Sequence, residues 1–286
     1  MDIVPRQVDM TQLVFPEKLK RRVFDMDIAY LDVGNGPVIF CLPPWPDGST
    51  ALVPFITAFS NNFRVIALDL PGWSGYSTRM ELIPSIQNYT KIIEEFILSF
   101  NFNNYSILGY SFGGVFAQFL VENNRINPDK IVMVSTLHSG KYIPEDIKIK
   151  LGLYKMFRHL IPAFVVRKIA KGSILSTKKN SLYKLGVFDT AYTHKIISES
   201  EKASIYCVFN VLFSLFETEY NYPTKIKKEK YLVIYAEKDH EFIQKETKEM
   251  ADYLGLTAIE IKGADHDHFA YEVNKTSDII LNFLNS

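Results

Sequence analysis

The chain has 286 residues, of which 47% are hydrophobic and 22% charged, and its 32 basic residues balance its 32 acidic ones. This composition is that of a globular protein, and the zero net charge argues against a nucleic-acid partner. No apolar run reaches the ~18 to 20 residues of a membrane-spanning helix, and the first twenty residues lack the apolar stretch of a secretory signal. The two cysteines, Cys41 and Cys207, lie in apolar segments and are predicted to be buried thiols, so we expect a cytoplasmic protein.

The first half of the chain alternates between strand-like and helix-like stretches. Residues 21–34 predict an antiparallel pair of strands. Short apolar runs rich in β-branched residues predict buried strands at residues 38–42, 64–70, 105–110 and 131–137. Helical spacing follows at residues 86–100 and 114–123. Strands that alternate with helices predict an α/β fold with a mostly parallel central sheet covered on both faces.

The alternation stops between residues 141 and 230. Within this stretch, residues 147–172 and 200–217 have the spacing of successive amphipathic helices, and after it the strand and helix order resumes. We therefore predict a core domain of residues 1–140 and 231–286 with a helical lid at residues 141–230.

The predicted lid is basic. It holds 17 Lys and Arg residues against 8 Asp and Glu residues, a net charge of +9, which leaves −9 on the rest of the neutral chain. Two interpretations stay open: a solvated face that helps the lid dock on an acidic body, or attraction of an anionic substrate or lipid surface.

One motif carries chemistry. Gly109-Tyr110-Ser111-Phe112-Gly113-Gly114 follows directly on an apolar strand and precedes a predicted helix. A serine on such a tight strand-to-helix turn takes strained dihedral angles, so the residues packed beside it must be small. The turn lifts the Ser111 hydroxyl above the sheet, near the N–H groups at the start of the next helix. The motif therefore predicts that Ser111 is a nucleophile.

This motif resembles the nucleophile elbow of the α/β-hydrolase superfamily, specifically its lidded serine hydrolases and esterases. Residues 64–77, RVIALDLPGWSGYS, are similar to a second segment of that superfamily with one added residue, and we assign this loop a structural role. The resemblance implies the chain order nucleophile, acid, base. Asp239 after a strand and His266 after the penultimate strand match the acid and base positions, with Glu237 and His268 as local competitors.

The surroundings of His266 and of the oxyanion hole can also be examined. Asp265 and Asp267 flank His266 and should raise its pKa. Where similar enzymes carry His-Gly-x-Pro, this chain has Pro43-Pro44-Trp45-Pro46. Prolines have no backbone N–H, so Trp45 is the single donor of that run, and the resemblance implies the Phe112 N–H as the second. We interpret the remaining histidines as lid or surface residues without metal-ligand spacing: His138, His159, His194 and His240.

The sequence thus predicts a serine hydrolase of the carboxylesterase or lipase type, without a cofactor, that acts on a small hydrophobic ester or related acyl substrate. The bond stays open, because thioester and C–C hydrolases and some peroxidases use the same triad. One alternative is a non-catalytic binding protein, because the Leu42-Pro43-Pro44 run and residues 160–172 faintly resemble maspardin. Another is contact with an anionic membrane surface through a basic lid helix that contains Lys155, Arg158, Arg167, Lys168 and Lys171.

Overall fold

The computed structural model describes residues 8–122, 125–157, 190–218, 226–267 and 273–286, together with Lys168 and Gly172. Part of the segment predicted as a lid lies outside these ranges, as do His159, His268, Arg158, Arg167 and Lys171. The division into core and lid therefore stays a prediction.

One eight-stranded sheet organises the described chain. Its strands are β1 (Leu19–Val23), β2 (Met26–Val33), β3 (Val38–Leu42), β4 (Arg64–Leu68), β5 (Ser106–Tyr110), β6 (Ile131–Val134), β7 (Tyr231–Ala236) and β8 (Ile259–Ile261). Their order is β1-β2-β4-β3-β5-β6-β7-β8. The β1–β2 and β2–β4 pairs are antiparallel, and the other pairs are parallel. Every residue of β3, β5 and β6 is buried, as expected for central strands covered on both faces.

Helices cover the two faces of the sheet. The described helices are α1 (Val53–Phe59), α2 (Ile86–Leu98), α3 (Phe112–Glu122), α4 (Glu145–Phe157), α5 (Ala191–Lys202), α6 (Ile205–Phe216), α7 (Glu241–Tyr253) and α8 (Asn274–Asn285). Apolar residues of α1, α5 and α8 belong to the core on one face, and those of α2, α3, α6 and α7 to the core on the other. The predicted α/β architecture is therefore confirmed.

The structure divides one predicted helical segment and adds one helix. Residues 200–217 are not one helix, because α5 ends at Lys202 and the Ser204 hydroxyl caps α6 by accepting a hydrogen bond from the Cys207 N–H (3.4 Å). Helix α1, with Pro54 in its first turn, was not predicted from the sequence. Among the described residues, no helix has the length and apolar character needed to cross a membrane.

Helix α7 also binds the loop that follows β6. The buried carboxylate of Glu246 accepts hydrogen bonds from the backbone N–H groups of His138 (2.9 Å), Ser139 (2.7 Å), Gly140 (2.9 Å) and Tyr142 (2.8 Å). Four charge-assisted bonds to one carboxylate fix this loop firmly, because each also satisfies a backbone donor. The start of the segment between β6 and β7 is thus anchored to the body.

Candidate active site

The turn between β5 and α3 holds Ser111 in a strained conformation. Its φ is 52°, in the left-handed region that a residue with a side chain rarely adopts. A Cβ at Gly113 would overlap the carbonyl group of Leu42, and one at Gly114 would overlap the side chain of Thr136. The turn therefore needs these glycines, since α3 begins in direct contact with the ends of β3 and β6.

Ser111, His266 and Asp239 form a chain of hydrogen bonds. The distance from Ser111 Oγ to His266 Nε2 is 3.1 Å, and that from His266 Nδ1 to Asp239 Oδ2 is 2.9 Å. When Nδ1–H donates to Asp239, Nε2 is left to accept the hydrogen bond from the Ser111 hydroxyl. In such an arrangement an imidazole can take a proton from a serine while a carboxylate holds its tautomer.

Asp239 lies in the loop after β7, and its side chain is completely buried. Its second oxygen accepts a hydrogen bond from the His240 N–H (2.7 Å). The competing carboxylate, Glu237, accepts instead from the Gly263 N–H (2.7 Å) and pairs with Lys262 (3.2 Å). Of these two acids, Asp239 is the one that contacts His266.

The His266 loop is held from two sides. The Tyr110 hydroxyl donates a hydrogen bond to the backbone carbonyl of His266 (2.6 Å), and the Lys238 N–H donates to the Ala264 carbonyl (2.7 Å). Nothing in the sequence motif pointed to this role of Tyr110. The structure places His266 against Ser111, whereas the competitor His268 lies outside the described residues, so the comparison between the two histidines stays a prediction.

Electrostatics favour the protonated form of His266. Burial lowers the pKa of His266, but the charge of Asp239, its hydrogen bond, and the charges of Asp267 and Asp265 raise it more, to about 9. The direction agrees with the sequence prediction for the two flanking aspartates. Because its pKa is raised, His266 binds a proton strongly after it has accepted one from a neighbouring group.

The two predicted oxyanion donors lie at the same edge of the sheet. Trp45 follows β3 and Phe112 begins α3, directly after β5, and β3 and β5 are parallel neighbours with Leu42 opposite Gly109. The Trp45 side chain is also held: its indole N–H donates to the Val208 carbonyl of α6 (2.8 Å). No motif in the sequence predicts this contact.

Asp69, in the segment assigned a structural role, binds the far end of the Trp45 loop. Its buried carboxylate accepts from the Ser49 N–H (3.2 Å) and hydroxyl (2.7 Å) and from the Ser74 hydroxyl (2.5 Å). Lys18 Nζ lies 2.9 Å from both oxygens, and it is 3.7 Å from a carboxylate oxygen of Glu199 in α5. This cluster joins four separate segments of the chain around the buried Asp69 carboxylate.

Of the other histidines that the structure describes, only His240 contacts this constellation, through the hydrogen bond from its backbone N–H to Asp239. His138 corrects the sequence interpretation: it is buried in the loop after β6, with Nδ1 2.9 Å from Gln118 Oε1, and burial lowers its pKa. His194 and His240 are exposed, as predicted. Cys41 and Cys207 are buried free thiols. In the ranges that the structure describes, no three His, Cys, Asp or Glu side chains are grouped so that they could hold a metal ion.

Comparisons with known proteins agree on the fold. The chain superposes on an epoxide hydrolase variant from Bacillus megaterium with a TM-score of 0.75 and 14% identity, covering 94% of this chain and 100% of that one. It superposes on a thermophilic esterase from Thermogutta terrifontis with a TM-score of 0.68 and 16% identity, covering 94% and 98%. The chain therefore has the α/β-hydrolase fold.

The relatives found by sequence match only part of the chain. A human serine hydrolase-like protein is 28% identical over 103 residues, which are 36% of this chain and 51% of that protein. A poly(3-hydroxyalkanoate) depolymerase of Ectopseudomonas oleovorans is 26% identical over 116 residues, 40% of each chain. The matched region thus spans about half the length of these relatives or less. No protein-family model matches the chain.

Proposed function

We propose that this protein is a serine hydrolase that cleaves a carboxylic ester or a related acyl bond. The observation that carries the proposal is the continuous hydrogen-bond chain from Ser111 through His266 to the buried Asp239. The names of the relatives, which include an esterase, a depolymerase and a serine hydrolase-like protein, are consistent with it.

In the proposed reaction, Ser111 Oγ attacks the substrate carbonyl carbon while His266 Nε2 accepts the hydroxyl proton. His266 then gives this proton to the leaving oxygen as the bond to the acyl carbon breaks, which leaves an acyl group on Ser111. Water, deprotonated by His266, attacks the acyl carbon; His266 then returns this proton to Ser111 Oγ as the bond between Oγ and the acyl carbon breaks and the acid leaves. Asp239 holds the imidazole in the required tautomer and stabilises its charged form throughout.

The oxyanion that forms at each attack is assigned to the backbone N–H groups of Trp45 and Phe112. Both belong to loops at the same edge of the sheet as Ser111. Two such donors, fixed before the reaction, stabilise the developing charge without reorganisation. All of these steps use groups of the chain itself.

An apolar substrate fits the surroundings best. Beside the Trp45 loop lies a cluster of aromatic rings from α4 and α6, in which Trp45 contacts Phe209 and Tyr154 contacts Phe209 and Phe213. Such a surface favours an aliphatic or aromatic acyl group over a sugar or a charged peptide. The serine nucleophile sets the proposal apart from chemistry that begins at an aspartate on the same fold.

The non-catalytic alternative has less support. A pure binding protein has no need for a buried carboxylate, an imidazole and a strained serine in one hydrogen-bonded line. Thioester and C–C bond cleavage remain alternatives within the same mechanism, and the leaving group decides between them.

The proposal is tested with p-nitrophenyl esters of increasing acyl length and with a serine-directed fluorophosphonate. We expect turnover and labelling by the wild-type protein and neither by Ser111→Ala. The preferred acyl length would measure the room beside Ser111. A wild-type protein that neither turns over any ester nor takes up the label would refute the proposal and favour the binding protein.

The acid has its own test. Asp239→Asn is expected to lower kcat by about 10³- to 10⁴-fold, because an amide stabilises the wrong tautomer of His266. Glu237→Gln is the matched control, since it alters the neighbouring carboxylate that contacts Gly263 and Lys262, and it should keep kcat within about twofold. Equal losses in the two variants would mean that Asp239 is not the acid.

A further inference from the structure

The loop that carries Trp45 can form few backbone hydrogen bonds of its own, although its prolines restrict φ. Three of the four residues in Pro43-Pro44-Trp45-Pro46 have no backbone N–H. The turn that follows is closed by a hydrogen bond from the Asp47 N–H to the Pro44 carbonyl (2.8 Å). The prolines restrict this loop but few hydrogen bonds direct it, so the contacts of the Trp45 side chain bear on the direction of the Trp45 N–H.

The Trp45 side chain makes those contacts with α6. Its indole N–H donates to the Val208 carbonyl (2.8 Å), and its ring meets that of Phe209 edge-on, with centroids 6.2 Å apart. Phe209 is in turn supported by Tyr154 of α4 (4.9 Å) and by Phe213 (6.5 Å). One polar contact and one aromatic contact thus fix both the tilt and the depth of the indole.

Helix α6 is itself fixed to the body at both ends. At its start, the Ser204 N–H donates to the Gly72 carbonyl (2.7 Å), and a Cβ at Gly72 would overlap Cys207. Towards its end, the Ser214 hydroxyl accepts from the Ile86 N–H that begins α2 (2.9 Å). Between these points Val208 and Val211 are fully buried. The helix is a rigid support rather than a surface element.

We propose that α6, which lies between β6 and β7 in the chain, positions the Trp45 backbone N–H for the oxyanion through the indole of Trp45. The inference rests on the proposed function, since it concerns one donor of the proposed oxyanion hole. The Trp45 side chain is a positioning group, and its backbone N–H is the group that meets the substrate.

The decisive variant is Trp45→Phe. It keeps a ring against Phe209 and keeps the backbone N–H, but it removes the hydrogen bond to Val208. We expect kcat to fall about 10- to 100-fold with KM within about twofold, because a displaced donor weakens the transition state more than the bound ester. Inhibition by phenylboronic acid, which forms a tetrahedral adduct on a serine hydroxyl, should weaken in step with kcat. Rates are taken per site titrated with fluorophosphonate.

Gln87→Ala is the matched control. It removes an exposed contact between α2 and the chain just beyond the end of α6, the hydrogen bond from the Gln87 amide to the Thr218 hydroxyl (3.0 Å). It should leave kcat and boronate inhibition unchanged. A variant that merely loosens the fold would lower the thermal midpoint and the number of titrated sites, but not kcat per site.

The outcomes separate the two proposals. Wild-type kcat and boronate affinity in Trp45→Phe would overturn the positioning role while leaving the chemistry of Ser111 intact. A wild-type protein without turnover or labelling would overturn the proposed function itself. If Trp45→Phe does not fold, Phe209→Leu takes its place: a parallel loss of kcat and boronate affinity of about threefold supports the role, and no change in either overturns it.

Discussion

The two loops that begin at the ends of β5 and β3 are shaped in opposite ways, although both are assigned an oxyanion donor. The β5 loop is shaped from within, by glycines that let α3 start against neighbouring strands and by the left-handed Ser111. The β3 loop is shaped from outside, by Val208 of α6 at Trp45 and by Asp69 at Ser49.

The difference concerns what local sequence can encode. A loop whose geometry depends on the size of its own residues carries that requirement in a short motif. A loop held by distant partners contains only one of the two residues in each contact, and the other residue lies elsewhere in the chain. Proline-rich sequence restricts the second loop but does not say where it points.

The largest effects are expected from changes in these two loops, and the first test concerns the β5 loop. Gly113→Ala places a methyl group against the Leu42 carbonyl, which belongs to the rigid centre of the sheet, so we expect a loss of about 3 kcal/mol in the free energy of unfolding. Gly152→Ala is the control, since nothing lies within 4 Å of its added Cβ in α4, and it should stabilise by about 0.5–1 kcal/mol. Denaturant unfolding measures both. An unaltered stability in Gly113→Ala would mean that the turn is not closed around this residue.

A second effect of about the same size tests the contacts that hold the β3 loop from outside. Asp69→Asn weakens the partner of Lys18, whose side chain is only 10% exposed, and is expected to cost about 3 kcal/mol of unfolding free energy. Asp25→Asn changes an aspartate whose side chain is 87% exposed and should cost less than about 0.5 kcal/mol. A cost for Asp69→Asn as small as that of the control would show that the loop holds its shape without this carboxylate.

The smallest effect is expected in a third loop, the one that carries His266, and it concerns the pH dependence of kcat/KM. Because His266 acts as a base only when neutral, kcat/KM should rise about tenfold per pH unit up to its pKa of about 9. Asp267→Asn removes a charge that raises this pKa, so the acid limb should move to lower pH and kcat/KM at pH 7 should rise about threefold. Asp25→Asn should not move the limb. A limb that stays in place in Asp267→Asn would remove Asp267 from the causes of the raised pKa.

The fold could be predicted from the sequence because its signals are local. Apolar runs such as residues 38–42 become strands at the positions expected, and the order of strands and helices is enough to predict a covered parallel sheet. Helix α1 was missed because Pro54 interrupts an apolar run, although proline is well tolerated in the first turn of a helix.

The site could be predicted only as far as motifs and resemblance reach. Ser111, Asp239 and His266 each follow a strand, and the structure brings them into one hydrogen-bonded line. The hydrogen bond from Trp45 to Val208 joins residues 163 positions apart. Its acceptor is a backbone carbonyl, which every residue has, so the side chain at position 208 does not predict it. His138 was misjudged for a similar reason, since its burial depends on partners contributed by α3 and α7.

The carboxylate of Glu246 sets a practical limit for protein engineering on this scaffold. Since it holds the backbone of residues 138–142 from a helix that begins directly after the Asp239 loop, those residues belong mechanically to the body. A chimera that exchanges the segment between β6 and β7 should therefore be spliced after Tyr142 and should keep Glu246. A splice placed before His138 would leave a buried anion without its four donors, next to the loop that orients His266.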